Sequence, residues 1–140
     1  MLLIRTSSMS FSPLQWIYWY DKPSVYRGEP EIEFFRRVPT VWDETRVVHG
    51  EIGKYATIAR RQGDDWFVGT INNSEKRTLS LKLAFLNRGK RSLANIYADD
   101  PSVDTATHVR IDRRAVDAGS TLDIPLMAGG GQAIWISAVD

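Results

Sequence analysis

The stretch TLSLKLAFL, residues 78–86, decides the fold class. Apolar Leu79, Leu81, Leu83 and Phe85 alternate with smaller or polar residues. A period of two is typical of a β-strand with one face in a core and the other in solvent, because successive side chains on a strand point in opposite directions. The pattern therefore predicts a half-buried strand in a sheet that has one solvated side.

Six other segments have the composition and alternation of short strands, and turn signals separate them. They are 55–62, 64–72, 91–99, 107–113, 121–126 and 131–139. Glycine, asparagine, aspartate and proline cluster between them, and no amphipathic helix intervenes. About seven short strands with brief loops predict an all-β fold, an antiparallel β-sandwich of Greek-key type. Pro125 lacks a backbone N–H, so its strand is expected at an edge or a bulge.

Composition fits one ordinary globular domain. The chain has 140 residues, 43% of them hydrophobic and 25% charged. Its 18 basic and 17 acidic residues give a net charge of +1, with the basic residues in scattered pairs. Such a balance gives no long-range attraction for phosphate polyanions, and no apolar run has the length of a membrane helix. The sequence therefore predicts no nucleic-acid partner and no membrane partner.

Few residue types suited to catalysis or metal binding are available. The absence of cysteine excludes disulfides, thiolate nucleophiles and cysteine-based zinc sites. His49 and His108 lie in different segments without the spacing of a histidine metal site. There is no GxSxG motif on which serine-hydrolase chemistry could rest. We therefore predict no catalytic residue, no metal ligand and no cofactor within this chain.

The stretch PTVWDET, residues 39–45, contains the best candidate carboxylates, Asp43 and Glu44. Glycoside hydrolysis needs two carboxyl groups that face each other, about 5–9 Å apart. Adjacent residues on a strand point to opposite faces, so this pair cannot meet that requirement alone. We instead predict that Asp43 and Glu44 form hydrogen bonds where the chain joins the sandwich.

The first 38 residues differ from the rest of the chain. Residues 11–26 are rich in aromatic side chains, and their prolines leave room for one short helix around 13–20. A second helix is predicted over 30–37, ended by Pro39. This segment carries more apolar surface than it can cover by itself, so it needs a neighbour to pack against.

Four aromatic residues are the candidates for binding: Trp16, Trp19, Tyr20 and Trp42. Rings of this kind can stack on a sugar, as in a carbohydrate-binding module. They can equally be buried against a neighbouring domain or subunit, since tryptophan and tyrosine dominate such interfaces. The second interpretation is the favoured one, and sugar stacking is the alternative.

Several motifs in order resemble the C-terminal end of family 97 glycoside hydrolases, which are α-glucosidases and α-galactosidases. They are SPLQ (12–15), PE-x-E-FF (30–35), VPTVWDET (38–45), IARRQGDDWFVGTIN (58–72) and GGGQAIWI (129–136). The resemblance covers nearly the whole chain. The string from PTVWDET to GDDWFVG is its most specific part.

The resemblance implies two regions and a role for each. Residues 39–140 are similar to the C-terminal β-sandwich of the family, and residues 1–38 resemble the closing segment of its (β/α)8 barrel. The family's catalytic glutamates, and the Ca²⁺ ligands of its inverting members, lie upstream of this region, and no position here matches them. The resemblance thus implies a non-catalytic domain that packs on the catalytic barrel and forms a homo-oligomer.

Two alternatives stand beside this interpretation: a carbohydrate-binding module for an oligosaccharide, and a standalone β-domain that self-associates through its aromatic segment. A family enzyme is several times longer, so we expect this chain to be a truncated reading frame, an expression fragment or a remnant gene. The compartment stays open. A full-length family enzyme would be periplasmic, whereas a chain that starts at Met1 would be cytoplasmic.

Overall fold

The structure is a computed structural model that describes residues 28–105 and 107–139. These residues form one short helix and eight strands. The helix α1 spans Ile32–Arg37. The strands are β1 Glu44–Glu51, β2 Tyr55–Gln62, β3 Asp65–Asn72, β4 Arg77–Lys82, β5 Ser92–Asp99, β6 Val109–Val116, β7 Thr121–Leu126 and β8 Gly131–Ala138.

The strands form two antiparallel sheets. The larger has six strands in the order β1-β2-β3-β8-β5-β6, and the smaller pairs β4 with β7. The last strand of the chain, β8, lies between β3 and β5, at the centre of the large sheet. The predicted antiparallel β-sandwich is confirmed, with eight strands instead of about seven.

The main core lies between the two sheets, on what we call the inner face of the large sheet. Leu81 from β4 and Ile124 from β7 are completely buried against Val68, Ile134 and other apolar residues of the large sheet. The alternation in residues 78–86 therefore predicted the buried side of β4 correctly. The regular strand ends at Lys82, however, and the chain then turns while it continues to contribute to the core.

The residues after β4 explain this early end. The backbone N–H of Leu83 donates to the carbonyl oxygen of Ser120 at 3.0 Å, and that of Leu86 donates back to Leu83 at 2.9 Å. Leu83 and Leu86 are both buried. A turn thus keeps the apolar residues in the core after strand pairing has ended, which a period of two cannot distinguish from a longer strand.

The opposite side of the large sheet, which we call the outer face, has its own apolar cluster. Phe34 of α1 is completely buried there against Phe67 and Tyr97 of the sheet. The helix begins after Glu31, and the chain turns to an extended conformation at Val38, directly before Pro39. It therefore matches the predicted helix over 30–37, apart from its first two residues.

Strand β1 is the element that the sequence patterns did not predict. Its pairing with β2 shifts register between Val47 and His49, so the alternation of faces is interrupted in mid-strand. β1 is also an edge strand whose residues are mostly exposed. A bulge and weak burial together remove the period-two signal on which strand prediction depends.

Pro125 lies opposite Thr78 in the two-stranded sheet, where β7 has β4 as its partner strand. The prediction of an edge position is thus confirmed, because both strands of a two-stranded sheet are edge strands. No helix in the described part of the chain has the length and apolar character needed to cross a membrane. The helix predicted around 13–20 lies outside the described residues.

Candidate functional site

The outer face presents a network of aromatic rings. Phe34 contacts Phe67 edge-on, with 6.0 Å between ring centroids, and contacts Tyr97 at 5.3 Å. Trp42 extends the network, with its ring 5.5 Å from that of Phe67. Edge-to-face pairs of this geometry add to the stabilisation from buried area. The network fixes the segment that precedes β1 onto the sheet.

Trp42 is half-buried, and a cation approaches its ring. The guanidinium carbon of Arg60 lies 5.5 Å from the ring centroid, within the range of a cation–π contact. Arg60 is only 1% exposed, and burial lowers the pKa of its guanidinium. The Trp42 ring is thus held between Arg60 and the edge-on contact with Phe67.

Trp135 of β8 lies on the same face, opposite Phe67 in the pairing of β3 with β8. Its indole N–H donates to the Asp65 carboxylate at 2.9 Å, and the Arg37 guanidinium lies 5.1 Å from its ring centroid. Nearby, residues 28–36 and strands β5, β6 and β8 line an open cleft of about 520 Å³ that includes Asn95 and Arg113. Aromatic, amide and charged groups therefore converge where α1 meets the sheet.

Asp43 and Glu44 lie where the chain passes from Trp42 into β1. The Asp43 carboxylate accepts a hydrogen bond from the Gly63 backbone N–H at 2.7 Å, and the Asp43 N–H donates to the Arg61 carbonyl at 2.8 Å. The Glu44 carboxylate accepts from Arg46 at 2.5 Å and from Arg61 at 3.3 Å. Asp43 thus ties the start of β1 to the β2–β3 turn, and Glu44 ties it to the end of β2.

The electrostatics of Glu44 favour the ionised state. The hydrogen bond from Arg46 is the main cause that lowers the pKa of Glu44, and Arg61 acts in the same direction. A glycosidase acid needs the opposite shift, so that it carries a proton to the leaving group at neutral pH. The geometry at Glu44 therefore suits an ion pair and does not suit a general acid.

The other candidate residues from the sequence fall in different places. Trp16, Trp19 and Tyr20 lie outside the described residues, so their roles stay predictions, as does the binding role of Trp42. His49 lies 3.4 Å from the Thr57 hydroxyl, and His108 lies in a loop with its ring 2.9 Å from the Val103 carbonyl. Within 28–105 and 107–139, no three His, Asp or Glu side chains form a group that could hold a metal ion.

Sequence reasoning did not find the outer-face cluster of Phe34, Phe67, Tyr97 and Trp135. A signal was available in β3 and β8, where five and four consecutive residues are buried. Such uninterrupted burial means that both faces of a strand are covered, and it appears in sequence as a continuous apolar run such as WFV (66–68) in β3. The alternation in residues 78–86 instead indicated a sheet with one solvated side.

Fold and site together define an antiparallel β-sandwich domain whose large sheet is covered by apolar clusters on both faces. Comparison with known proteins specifies the class. The model of the family described as "Glycosyl-hydrolase 97 C-terminal, oligomerisation" matches residues 41–137. The chain therefore belongs to this family, as the sequence motifs predicted, and its sandwich is the non-catalytic C-terminal domain of that family.

Relatives with curated names and solved structures agree with this assignment. The chain is 35% identical over 118 residues, 83% of its length, to the retaining α-galactosidase of Bacteroides thetaiotaomicron. It is 30% identical over 114 residues, 81% of its length, to a probable retaining α-galactosidase of Streptomyces bingchenggensis. A family 97 glycoside hydrolase of Pseudoalteromonas sp. strain K8, solved with acarbose, superposes with a TM-score of 0.76 at 30% identity over 86% of this chain.

These relatives are much longer than the chain. It spans 18% of the Bacteroides enzyme, 16% of the Streptomyces protein and 20% of the solved Pseudoalteromonas chain. The similarity therefore concerns one domain of each relative.

Proposed function

We propose that this domain supports a glycoside hydrolase that acts on α-galactosides or α-glucosides, by packing on its catalytic barrel and by mediating self-association. The observation that carries the proposal is the family match over residues 41–137, since that family is described as a C-terminal oligomerisation domain. The names of the relatives support an α-galactoside as the substrate class of the whole enzyme.

The outer face supports the part of the proposal that concerns the barrel. The segment 28–42 runs across this face and brings Phe34 and Trp42 onto the sheet. Any domain that precedes residue 28 in the chain would therefore meet the sandwich on this side. The aromatic network gives such a contact a rigid base, because its rings are already fixed by their neighbours.

The environment of Trp42 bears on the alternative of an oligosaccharide ligand. Stacking on a sugar needs a free ring face, whereas Arg60 lies over the ring of Trp42 and Phe67 meets it edge-on. This arrangement favours a structural role for Trp42 over a sugar platform.

One preparation of the 140-residue chain tests the proposal. We expect sedimentation equilibrium to give a dimer or a larger assembly, and we expect no turnover of aryl α-galactosides or aryl α-glucosides. The physical reason is that Glu44 is held ionised by Arg46 and Arg61, whereas a glycosidase acid must carry a proton.

Two results would contradict the proposal. A chain that stays monomeric at every concentration would remove the self-association role. Turnover that is abolished in Glu44→Gln but kept in the matched variant Glu75→Gln, at an exposed position between β3 and β4, would show that the domain is catalytic.

A further inference from the structure

A separate apolar surface lies at the β1–β2 hairpin, at one corner of the outer face. We call it the hairpin patch and define it by Val47, Gly50, Ile52, Ala56 and Ile71. Val47 is 72% exposed and Ile52 is fully exposed. A Cβ at Gly50 would lie 3.8 Å from Val47 Cγ1, so these two positions share a face. Gly50, Ile52, Ala56 and Ile71 also line an open cleft of about 570 Å³.

The position of Ile52 is unusual for its residue type. It lies in the turn closed by the Lys54 N–H, which donates to the Glu51 carbonyl at 2.9 Å, and Gly53 supplies the positive φ of 76°. Tight turns favour glycine, proline, asparagine and aspartate, and a fully exposed isoleucine gains nothing from burial within its own domain. A large exposed apolar side chain beside an apolar cleft indicates an interaction surface.

The two edges of the large sheet differ in how they discourage association. The β6 edge carries alternating and adjacent charges at Arg110, Asp112, Arg113 and Arg114. Such charges protect an edge from pairing with another chain. The β1 edge has an uncharged run over 47–50, interrupted only by the register shift. That bulge opposes simple strand addition, so a partner at this edge would pack against side chains.

The location of the hairpin patch favours a second copy of the chain as its partner, rather than the segment that precedes the sandwich. Residues 28–36 lie beside Ser137, at the end of β8, whereas the patch lies beside Gly131, at its start. Six residues of strand span about 20 Å, and three strand spacings from β8 to β1 add about 14 Å across the sheet. The patch therefore lies at the opposite corner of the face from the point where residue 28 joins the fold.

We infer that the hairpin patch is the contact between two copies of this chain, related by a twofold axis, with Ile52 of each copy seated in the cleft of the other. This inference rests on the proposed self-association and names the surface that carries it. A twofold contact needs a self-complementary surface, and the patch supplies both the protruding side chain and the cleft.

Charges around the patch fit the same arrangement. Glu51 and Lys54 flank Ile52 in the turn and pair with each other at 2.5 Å. One acid and one base on either side of an apolar centre give a surface that is complementary to itself when rotated by a twofold axis. Glu51 of one copy can then exchange its partner for Lys54 of the other without leaving either charge unpaired.

The test is the self-association of the full 140-residue chain, measured by sedimentation equilibrium. We expect Ile52→Asp to raise the dimer dissociation constant by about 100-fold, because it places a carboxylate in an apolar cleft at the centre of the contact. The matched control is Val139→Asp. Val139 is 55% exposed and lies outside the patch, so its variant should keep the dissociation constant within about twofold.

Cross-linking gives a second measurement that is independent of affinity. The chain has no cysteine, so a single introduced thiol reports one position. We expect Ile52→Cys to form covalent dimers with a short bismaleimide, and Val139→Cys to give none at the same concentration.

The outcomes separate the inference from the proposed function. If the wild-type chain is monomeric throughout, the self-association role fails and the inference fails with it. If the wild-type chain associates but Ile52→Asp associates equally well, the proposed function stands and the hairpin patch is the wrong surface. Equal loss of self-association in Ile52→Asp and Val139→Asp would also overturn the assignment of the contact to the hairpin patch, because the effect would then not be local.

Discussion

The two faces of the large sheet are covered in different ways. The inner face packs against aliphatic side chains of β4 and β7, and Leu81, Leu83 and Ile124 there are completely buried. The outer face packs aromatic rings beneath a helix of six residues, and it ends at the hairpin patch, where Val47 is 72% exposed.

This difference indicates which face contributes most to folding stability and which face is available for contacts with other domains. Two sheets that interdigitate bury a large area in one cooperative step. A six-residue helix is far too short to be stable alone, so α1 depends on the sheet, and we expect the sandwich core to persist when the helix detaches. We therefore assign folding stability mainly to the inner face and interactions mainly to the outer face.

The largest expected effect comes from the inner face. Leu81→Ala should lower the free energy of unfolding by about 2–5 kcal/mol, because it leaves a cavity between two well-packed sheets. Urea unfolding followed by circular dichroism measures this change. The control Val41→Ala, at a position 68% exposed, should stay within about 0.5 kcal/mol of the wild type. A loss below about 1 kcal/mol for Leu81→Ala would mean that the inner face is not the main source of stability.

The second effect is on the outer face and should be local. Phe34→Ala removes the ring contacts with Phe67 and Tyr97, which hold α1 on the sheet. We expect a loss of about 2 kcal/mol or less, below the about 3–5 kcal/mol typical of a core phenylalanine, because the helix can detach while the sandwich persists.

Hydrogen exchange distinguishes local from global loss for this variant. The amide of Val38, which donates to the Phe34 carbonyl at 2.9 Å, should exchange much faster in Phe34→Ala, while amides in β3 and β8 should change little. The matched control is Arg36→Ala, at an exposed position in the same helix. If Phe34→Ala accelerates exchange in all strands equally, the two faces fold as a single unit and the contrast between them is lost.

The smallest effect concerns the junction at Glu44, where the chain passes from the outer face into β1. The pKa of Glu44 is lowered in the folded state by its hydrogen bond from Arg46, so its contribution to stability is present above the unfolded pKa of about 4.3 and is lost as pH falls through the folded pKa. We expect the urea midpoint of Glu44→Gln to fall less than that of the wild type between about pH 5 and about pH 3.

The difference in pH dependence between Glu44→Gln and the wild type should be small, and it should diminish in high salt, because the Glu44–Arg46 ion pair is partly exposed. The pKa of Asp100 is lowered by the Ser102 hydroxyl and that of Asp117 by the Ser120 hydroxyl, and both carboxylates persist in the variant. Asp123→Asn, at a solvent-facing position on β7, serves as the control. An unchanged pH profile in Glu44→Gln would show that the junction ion pair contributes nothing to folding.

Local patterns in the sequence predicted much of this fold. The alternation in residues 78–86 identified the buried side of β4, turn residues located most loops, and Pro125 marked an edge. Strand β1 was not predicted, because its bulge interrupts the alternation of apolar and polar residues. For the site, the position of Trp42 at the start of the sandwich could be predicted, whereas its contact with Arg60 could not, since these residues belong to different elements.

Local sequence patterns specified the fold class, the family and the buried side of β4, because each pattern lies within a short segment of the chain. Tertiary structure alone decided that β8 lies between β3 and β5 and that Phe34 meets Phe67 and Tyr97 on a second covered face. The physical reason is that alternation specifies which residues of a strand share a side, but not which strand is its neighbour. That choice depends on hydrogen bonds and burial between distant segments.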